Sequence, residues 1–525
     1  MKAKLQKQIT KNSVIFAAAV SGLICSICLS VPEISFLIFF ALIPFLFFLF
    51  RFIHHKLKIK TSIFIFSMCY HTPTLLWLYT LCPIPDTDLS YFSSWLIMSA
   101  AIIAASSVES LVMVFAFIPY NKLVKKNLPA PIVFSLLYIL GEFLQEMIGD
   151  LAFPWTRLGA TISEFAPFIQ SASLFGTLFI SLLILLINSF LALAFVRITK
   201  KKKIGKTVIL LIAAAGIFIS NTLYGIIRIQ IKKPTITAET SVAVVQGNFG
   251  SVTKWDTPMS IVLQKHFELS EAAIEKSNPQ IIVWSETAIA SFIDSSFSEK
   301  VRQFAQQHNV TVITGIFDED DNYEYNAMTA FLPDGTISDP YYKQKLVPMG
   351  EYVPFYKIIE KIFPSDVKFL APGHGTDILE TDTGNIGCII CYESVFPYIV
   401  RNTVNAGAQI LAMASNDSWF GNTPALDQHL AHARMRAVEN GRYLLRAGNT
   451  GISAIISPFG ETEQKLEVNT SEYITANVSL IKDKTLYTLT GDIIILPCAA
   501  LFLYGIWLCI YKKNPCLNKI RKNGI

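Results

Sequence analysis

A cysteine that ends an apolar run is the first residue in this chain equipped for chemistry. In GNIGCIICYESVFP (384–397), Cys388 and Cys391 stand three residues apart, and Tyr392 and Glu393 follow at once. Taken alone, the pair admits four uses: core thiols, a disulfide, a metal pair or a nucleophile. On an extended strand, residues three apart point to opposite faces. That argues against a disulfide or a shared metal, and expects Cys388 to pack in a sheet.

Two further strand ends carry complementary groups. VWSETAI places Glu286 just past an apolar run, where a general base could stand. YYKQKLVPMGEYVPF (341–355) puts Lys343 after a hairpin and Glu351 eight residues later, with Lys345 as a rival cation. Glutamate, lysine and cysteine are the parts an acyl-transferring thiol needs. A base takes the thiol proton, the sulfur attacks, and a cation stabilises the oxyanion. A free thiol titrates near ~8.5, so both charged neighbours have a use beside it.

These residues need elements to hold them. TSVAVVQGNF (240–249), QIIVWSET (280–287), VTVITGIF (310–317), NIGCIICYES (385–394) and AQILAMASND (408–417) read as buried strands. Residues 259–277, 298–309 and 428–442 read as amphipathic helices, and 326–343, with its Pro-Asp-Gly turn, as a hairpin. Repeated strand–helix units imply a layered α/β domain over 235–483.

The rest of the chain is of another kind. Of 525 residues 52% are hydrophobic and only 16% charged, against about a quarter in soluble domains. The net charge of +5 gives no sign of nucleic acid, and nine cysteines are too few for a disulfide scaffold. Five of them (Cys25, Cys28, Cys69, Cys498, Cys509) lie in long apolar runs as small hydrophobes. Such runs, long enough to cross a bilayer, occur near 13–30, 34–51, 61–81, 92–119, 130–148, 168–196, 207–225 and 489–511. This divides the chain into a seven-helix transmembrane bundle (1–230), the α/β domain (235–483), and a C-terminal transmembrane helix with a basic tail (484–525).

Lys2, Lys4, Lys7 and Lys11 precede the first run. Arg51, Lys56, Lys58 and Lys60 follow the second, Lys122, Lys125 and Lys126 the fourth, and Arg197 and Lys200 to Lys203 the sixth. Lys512, Lys513, Lys519, Arg521 and Lys522 lie in the tail. These are alternate connections, so the positive-inside rule makes their side cytoplasmic. The opposite loops, such as 83–90 with Asp86 and Asp88, lack basic residues. The 235–483 domain is therefore expected to face outward. Arg228, Lys232 and Lys233 go against the rule.

The contexts of Glu286 (W-S-E-T-A), Lys343 (Y-x-K-x-x-L-V-P-x-G-E) and Cys391 (C-Y-E), in this order, resemble the nitrilase superfamily triad. With SNDSWFG (415–421), residues 433–451, the eight apolar runs and Phe-Pro-Trp (153–155), the whole chain resembles the bacterial apolipoprotein N-acyltransferases. Met349 departs from the usual phenylalanine and Ala152 from a common glycine.

The resemblance implies an α-β-β-α nitrilase-like sandwich, extracytoplasmic and carried by an inner-membrane helical bundle. It implies transfer of an acyl chain from a phospholipid, phosphatidylethanolamine, to the N-terminal amine of a diacylglyceryl apolipoprotein through a Cys391 thioester. Glu286 would be the base. Lys343 and a backbone N–H near Tyr392 would hold the oxyanion. Glu351 would orient Lys343 or the base, and Glu393 would support the pocket. Trp419 and Phe420 would form a lid over acyl chains or pack their loop. No cofactor is called for.

Two rival functions use part of the same features. A membrane-tethered nitrilase-like amidase needs the triad but not eight membrane helices. A transporter or sensor needs the helices but not the triad. His429 and His432 lack a third ligand, so no metal site is expected. Arg434, Arg436, Glu439, Arg442 and Arg446 read as structural ion pairs around the core, with headgroup binding as the alternative. Carboxylates inside apolar runs are functional suspects: Glu109 lies deep in the fourth, whereas Glu142 and Glu146, near the outer end of the fifth with Asp150, either act or only mark the interface.

Overall fold

Apolar helices build one half of the computed structural model and alternating strands and helices the other. The structure describes residues 2–511 except 54–57, 85–86, 88, 232–233, 251–252, 354–368 and 376; of residues 2–11 and 511 it describes the backbone alone. Lys56, Asp86, Asp88, Lys232, Lys233 and the basic residues of the tail therefore lie outside the described residues, as do the side chains of Lys2, Lys4, Lys7 and Lys11.

Each apolar run contains helix. The first seven give α1 (Lys2–Ser30), α2 (Ile43–Arg51), α3 (Ile59–Thr74), α4 (Tyr91–Ala116), α5 (Ala130–Glu146), α6 (Thr177–Thr199) and α7 (Ile204–Ile231). The last gives Ile495–Tyr511. Among the described residues five spans are long and apolar enough to cross a membrane: Asn12–Ser30, Pro32–Arg51, Tyr91–Lys125, Thr177–Thr199 and Ile204–Ile231. The remaining runs make shorter helices. The third carries Pro73 in its last turn and continues as the tight turn Leu76–Leu81. The sixth is not one helix from 168: Ala166–Ile169 and Ala172–Phe175 precede Gly176, whose φ of +77° breaks the path before α6. Large apolar side chains remain bare along these helices, among them Ile103 (54% exposed) and Ile212 (65%), as on a surface solvated by lipid.

The α/β half is a double sheet. The strands are β1 (Ile236–Gln246), β2 (Ile281–Val283), β3 (Thr311–Glu319), β4 (Glu324–Phe331), β5 (Tyr341–Tyr342), β6 (Ile378–Thr381), β7 (Gly384–Ile390), β8 (Ile410–Ser415), β9 (Leu444–Gly448), β10 (Ala454–Ile456), β11 (Thr462–Lys465) and β12 (Glu472–Ile481). One sheet has the order β12-β1-β2-β3-β4-β5 and the other β11-β10-β9-β8-β7-β6. β1, β2 and β3 run parallel, as do β7, β8 and β9. Between the sheets lie Val242, Val283, Ile313, Cys388, Ile390 and Ala412 in one buried cluster. Helices α8 (Met259–Ser277) and α9 (Ser296–His308) cover the outer face of the first sheet through Leu263, Val301 and Phe304. Helices α10 (Pro397–Ala406) and α11 (Ala425–Asn440) cover the second. This is the expected α-β-β-α sandwich.

The expectation of an amphipathic helix near 428–442 needs correction. α11 is buried on nearly every side. Leu430, Ala433 and Ala437 face the sheet, while Ala431, Met435 and Val438 join the core of the membrane half. Its polar residues meet polar partners there instead of water: Glu439 Oε1 accepts from Thr177 N (2.8 Å) and Thr177 Oγ1 (2.6 Å), and Arg434 pairs with Glu164 (3.0 Å).

Strand β3 lets the end of β2 approach closely at Gly315. A Cβ there would lie 2.3 Å from Thr287 N and 2.6 Å from Glu286 Cα. Gly315→Ala is expected to cost ~1–3 kcal/mol by overpacking and to lower the thermal unfolding midpoint in detergent. Gly205→Ala, whose methyl meets nothing within 4 Å, should leave that midpoint unchanged.

Candidate active site

The two parallel triplets end side by side, and their ends supply the reactive groups. Glu286 follows β2 and is 6% exposed. Its Oε1 accepts from Lys343 Nζ (3.0 Å) and Asn326 Nδ2 (2.8 Å), and its Oε2 from Asn416 N (2.8 Å). Lys343 follows β5 and is 1% exposed. Its ammonium also reaches Glu351 Oε1 (2.8 Å). Asn326 Nδ2 bridges both carboxylates, with Glu351 Oε1 at 2.9 Å. Glu351 Oε2 accepts from Val347 N (2.7 Å), which fixes the loop after Lys343. Lys345 lies elsewhere, its ammonium 5.3 Å from the centre of the Phe396 ring.

Burial alone would pull the Lys343 ammonium down, but Glu286 and Glu351 outweigh it and hold the group firmly protonated. Burial pushes Glu286 up, yet Lys343 and the donated hydrogen bonds leave it below the usual carboxylate range. Glu286 is therefore a carboxylate at neutral pH.

Cys391 sits at the last step of β7, where the chain turns into a short 3-10 helix, Cys391–Val395. Its φ is +48°, a left-handed conformation rare for a residue with a Cβ. This overturns the expectation that the two cysteines face apart. Strand alternation stops at Ile390, and Cys391 turns back so that both cysteines belong to the cluster between the sheets. Cys388 is fully buried and both thiols are free. Burial, and then the Glu286 charge, pushes the Cys391 thiol up, opposed by the Lys343 charge.

Glu393 locks the turn. Its Oε2 accepts from Ile390 N (2.7 Å) and Tyr341 OH (2.9 Å), and its Oε1 from Gln344 N (2.6 Å). Burial brings its carboxyl up to about 7 in spite of these bonds. Tyr392 points away, toward the membrane half: its hydroxyl donates to Ala152 O (3.0 Å) and its ring stacks on Phe153 (5.4 Å).

That contact belongs to a loop held by the carboxylates of the apolar helices. Glu109 on α4 accepts from Phe153 N (3.0 Å), Glu142 on α5 from Leu158 N (2.9 Å), and Glu146 pairs with Arg157. Trp155 is buried and donates to Gln428 Oε1 on α11 (2.6 Å). Phe420 packs edge-on against Trp77 (4.7 Å) and Trp155 (5.7 Å), while Trp419 is half-buried, its carbonyl accepting from Thr80 Oγ1 (2.6 Å).

A second buried network lies behind the thiol. Asp417 accepts from Arg446 (2.5 Å) and Ser415 Oγ (2.6 Å) and lies 3.1 Å from His429 Nδ1. His429 Nε2 donates to the Cys391 carbonyl (3.0 Å). His432 instead meets Trp155 O (2.9 Å), so the two histidines diverge. Arg436 pairs with Glu439 (3.0 Å), and Arg442 donates to backbone carbonyls, including Ala408 O (2.8 Å).

Comparison with known proteins fits this two-part arrangement. Residues 21–190 match the model for the apolipoprotein N-acyltransferase N-terminal domain, and residues 241–482 match that for carbon-nitrogen hydrolase. The apolipoprotein N-acyltransferase of Geobacter metallireducens is 30% identical over 381 residues, covering 70% of this chain and 72% of that protein. The chain belongs to the apolipoprotein N-acyltransferase family. A relative of the same name from Shewanella oneidensis is 30% identical over 71% of this chain and 73% of its own. Among solved structures, a carbon-nitrogen hydrolase from Helicobacter pylori is 20% identical, covers 46% of this chain and 89% of that one, and has a TM-score of 0.37. Family membership together with the bare apolar helices makes this a membrane protein.

Several residues of this family member escape a reading of the sequence. Asn326 stands in a hairpin strand with nothing local to mark it. Ser415, Asn416 and Asp417 end β8 next to the end of β7, so the rule that picked out Glu286 and Cys391 could have picked them too. His429 looked like one of a spare pair.

Asn326→Ala removes one hydrogen bond from an ionised carboxylate, an interaction worth ~1.5–3 kcal/mol. The Glu286 pKa then rises, because a donor to its charged form is lost. The base works only above its pKa, so the acid limb of Cys391 alkylation by iodoacetamide should move to higher pH. Peptide mass mapping across a pH series measures it; an unmoved limb would separate Asn326 from the base.

Proposed function

We propose that this chain is an apolipoprotein N-acyltransferase that works through an acyl-thioenzyme, with Cys391 as nucleophile, Glu286 as base and Lys343 as oxyanion partner. The observation that carries this reading is the buried Lys343 ammonium between Glu286 and Glu351, in the domain whose nucleophile turn is tied through Tyr392 to a loop of the membrane half.

The thiol is neutral at rest, because burial and the Glu286 charge disfavour the thiolate. The proton must therefore leave as the sulfur attacks. Glu286, held ionised, takes it. Sγ bonds to the ester carbonyl carbon of a phospholipid, and the oxyanion is met by Lys343 and the Tyr392 N–H. The ester C–O bond breaks, Glu286 returns the proton to the leaving lysophospholipid oxygen, and a thioester remains. The α-amine of a diacylglyceryl-cysteine then attacks that thioester. Its proton passes through Glu286 to the departing sulfur, and an amide-linked acyl chain results. Glu351 keeps Lys343 in line, Glu393 fixes the turn that presents Cys391, and Trp419 and Phe420 border the acyl chains.

Phosphatidylethanolamine is the donor proposed, and the inner membrane the site. The α/β domain (235–483) faces the periplasm, and both termini are cytoplasmic. Arg51 donates to Thr199 Oγ1 (2.8 Å) and Lys200 to Arg51 O (2.8 Å), so the basic connections after the second and sixth runs share one end of the bundle, in support of that orientation. Both substrates are lipid-anchored, and a site tied to a loop of the membrane half meets them at headgroup level.

Incubation of the detergent-purified protein with phosphatidylethanolamine should add the mass of one acyl chain to wild type and to Cys388→Ala, and none to Cys391→Ala. Intact-protein mass spectrometry reads this directly. An adduct surviving in Cys391→Ala would move the nucleophile elsewhere.

A further inference from the structure

Arg228 is one of the basic residues that run against the charge bias of the loops, and its surroundings give it a purpose. It lies near the end of α7 that meets the α/β half, whereas the Arg51–Lys200 cluster stands at the other end of the bundle. The residue is only 7% exposed. Its Nη1 donates to Gln170 Oε1, and its guanidinium stacks 5.1 Å from the centre of the Phe459 ring. Both partners are neutral. Among the described residues it forms no ion pair, although Asp483 lines a narrower cleft with it. A buried, oriented cation at a membrane boundary with no counter-charge in contact is set up to receive an anion.

A cleft of about 310 Å³ opens beside it. Tyr224, Ile227, Arg228 and Ile231 of α7 form one wall, and Lys484 and Leu486 contribute to the other. Lys484 donates one proton to Asn405 O (3.0 Å), which leaves two for a ligand. Ile227 (53% exposed), Ile231 (72%) and Leu486 (42%) present bare apolar surface beside the two cations. Two cations above an apolar helix face match an amphiphile: a phosphate diester in the cleft, with acyl chains descending along α7.

We propose that this cleft is a binding site for the phosphate of a glycerophospholipid, separate from the acyl-transfer site. Separation follows from α11. Its N-terminal part reaches Cys391 through His429, whereas Gly441 at its far end lines a narrower cleft shared with Arg228. The twelve steps from His429 to Gly441 span about 18 Å along the helix. A lipid held there anchors the junction between α7 and the α/β half and is not the molecule under attack by the thiol.

Photo-crosslinking tests this on the full chain in nanodiscs, with a phosphatidylglycerol carrying a diazirine in its headgroup. Cross-linked peptides covering 224–231 and 484–486 are expected in wild type. Losing two charge-assisted hydrogen bonds in Arg228→Gln/Lys484→Gln should cut their yield at least about tenfold, while cross-links near Cys391 persist and report a folded protein. Arg228→Lys should keep most of the yield. Absence of these peptides in wild type, or an unchanged yield in the double variant, overturns the proposal. Loss of the cross-link on adding millimolar inorganic phosphate would assign the cleft to a free anion and overturn the lipid.

Discussion

An ammonium buried between two carboxylates is the constraint around which the α/β half is arranged. A lone charge out of water costs far more than a folded domain can offset, so Lys343 can be buried only if Glu286 and Glu351 arrive with it. Glu286 comes from the end of β2, Lys343 from the end of β5, and Glu351 from the loop beyond. Bringing them together therefore fixes three segments of one sheet. Asn416 N, from the end of β8, ties the second sheet to the same carboxylate. The cluster is thus a structural joint and an electrostatic device at once. It keeps a base ionised and a cation charged next to a thiol that stays neutral.

The membrane half makes a second joint. Glu109, Glu142 and Arg157-paired Glu146 hold the loop 152–158 by its backbone and its one cation. That loop offers Ala152 O to Tyr392, Trp155 to Gln428, and an aromatic face to Phe420. Carboxylates in apolar helices are costly unless each finds donors, and here the donors belong to the segment that must reach the site. α11 completes the link, since one side packs on the sheet and the other on the bundle. The thiol is thereby positioned by both halves of the chain.

The turn at Cys391 illustrates how local strain is stored by surrounding contacts. Its φ of +48° is sustained by Glu393, which binds Ile390 N, and by His429, which binds the Cys391 carbonyl. Neither contact touches the sulfur. Both decide where it points.

What the sequence determined by itself follows from short-range pattern. Eight apolar runs, the strands that end at Glu286 and Cys391, the hairpin before Lys343 and the Tyr-Lys to Gly-Glu spacing are all properties of neighbouring residues. Periodicity and composition report them faithfully. Only the tertiary structure decided what covers each polar group. Asn326 meets Glu286 across 40 positions and Trp155 meets Gln428 across 273. Local pattern says that one side of α11 is polar, but not that a membrane helix will meet that side instead of water. It says that Cys388 and Cys391 alternate on a strand, but not that the strand stops one residue short of the second. Pairing over such distances is chosen by packing and by the cost of leaving a buried charge unmet, and neither is written in any single stretch of the chain.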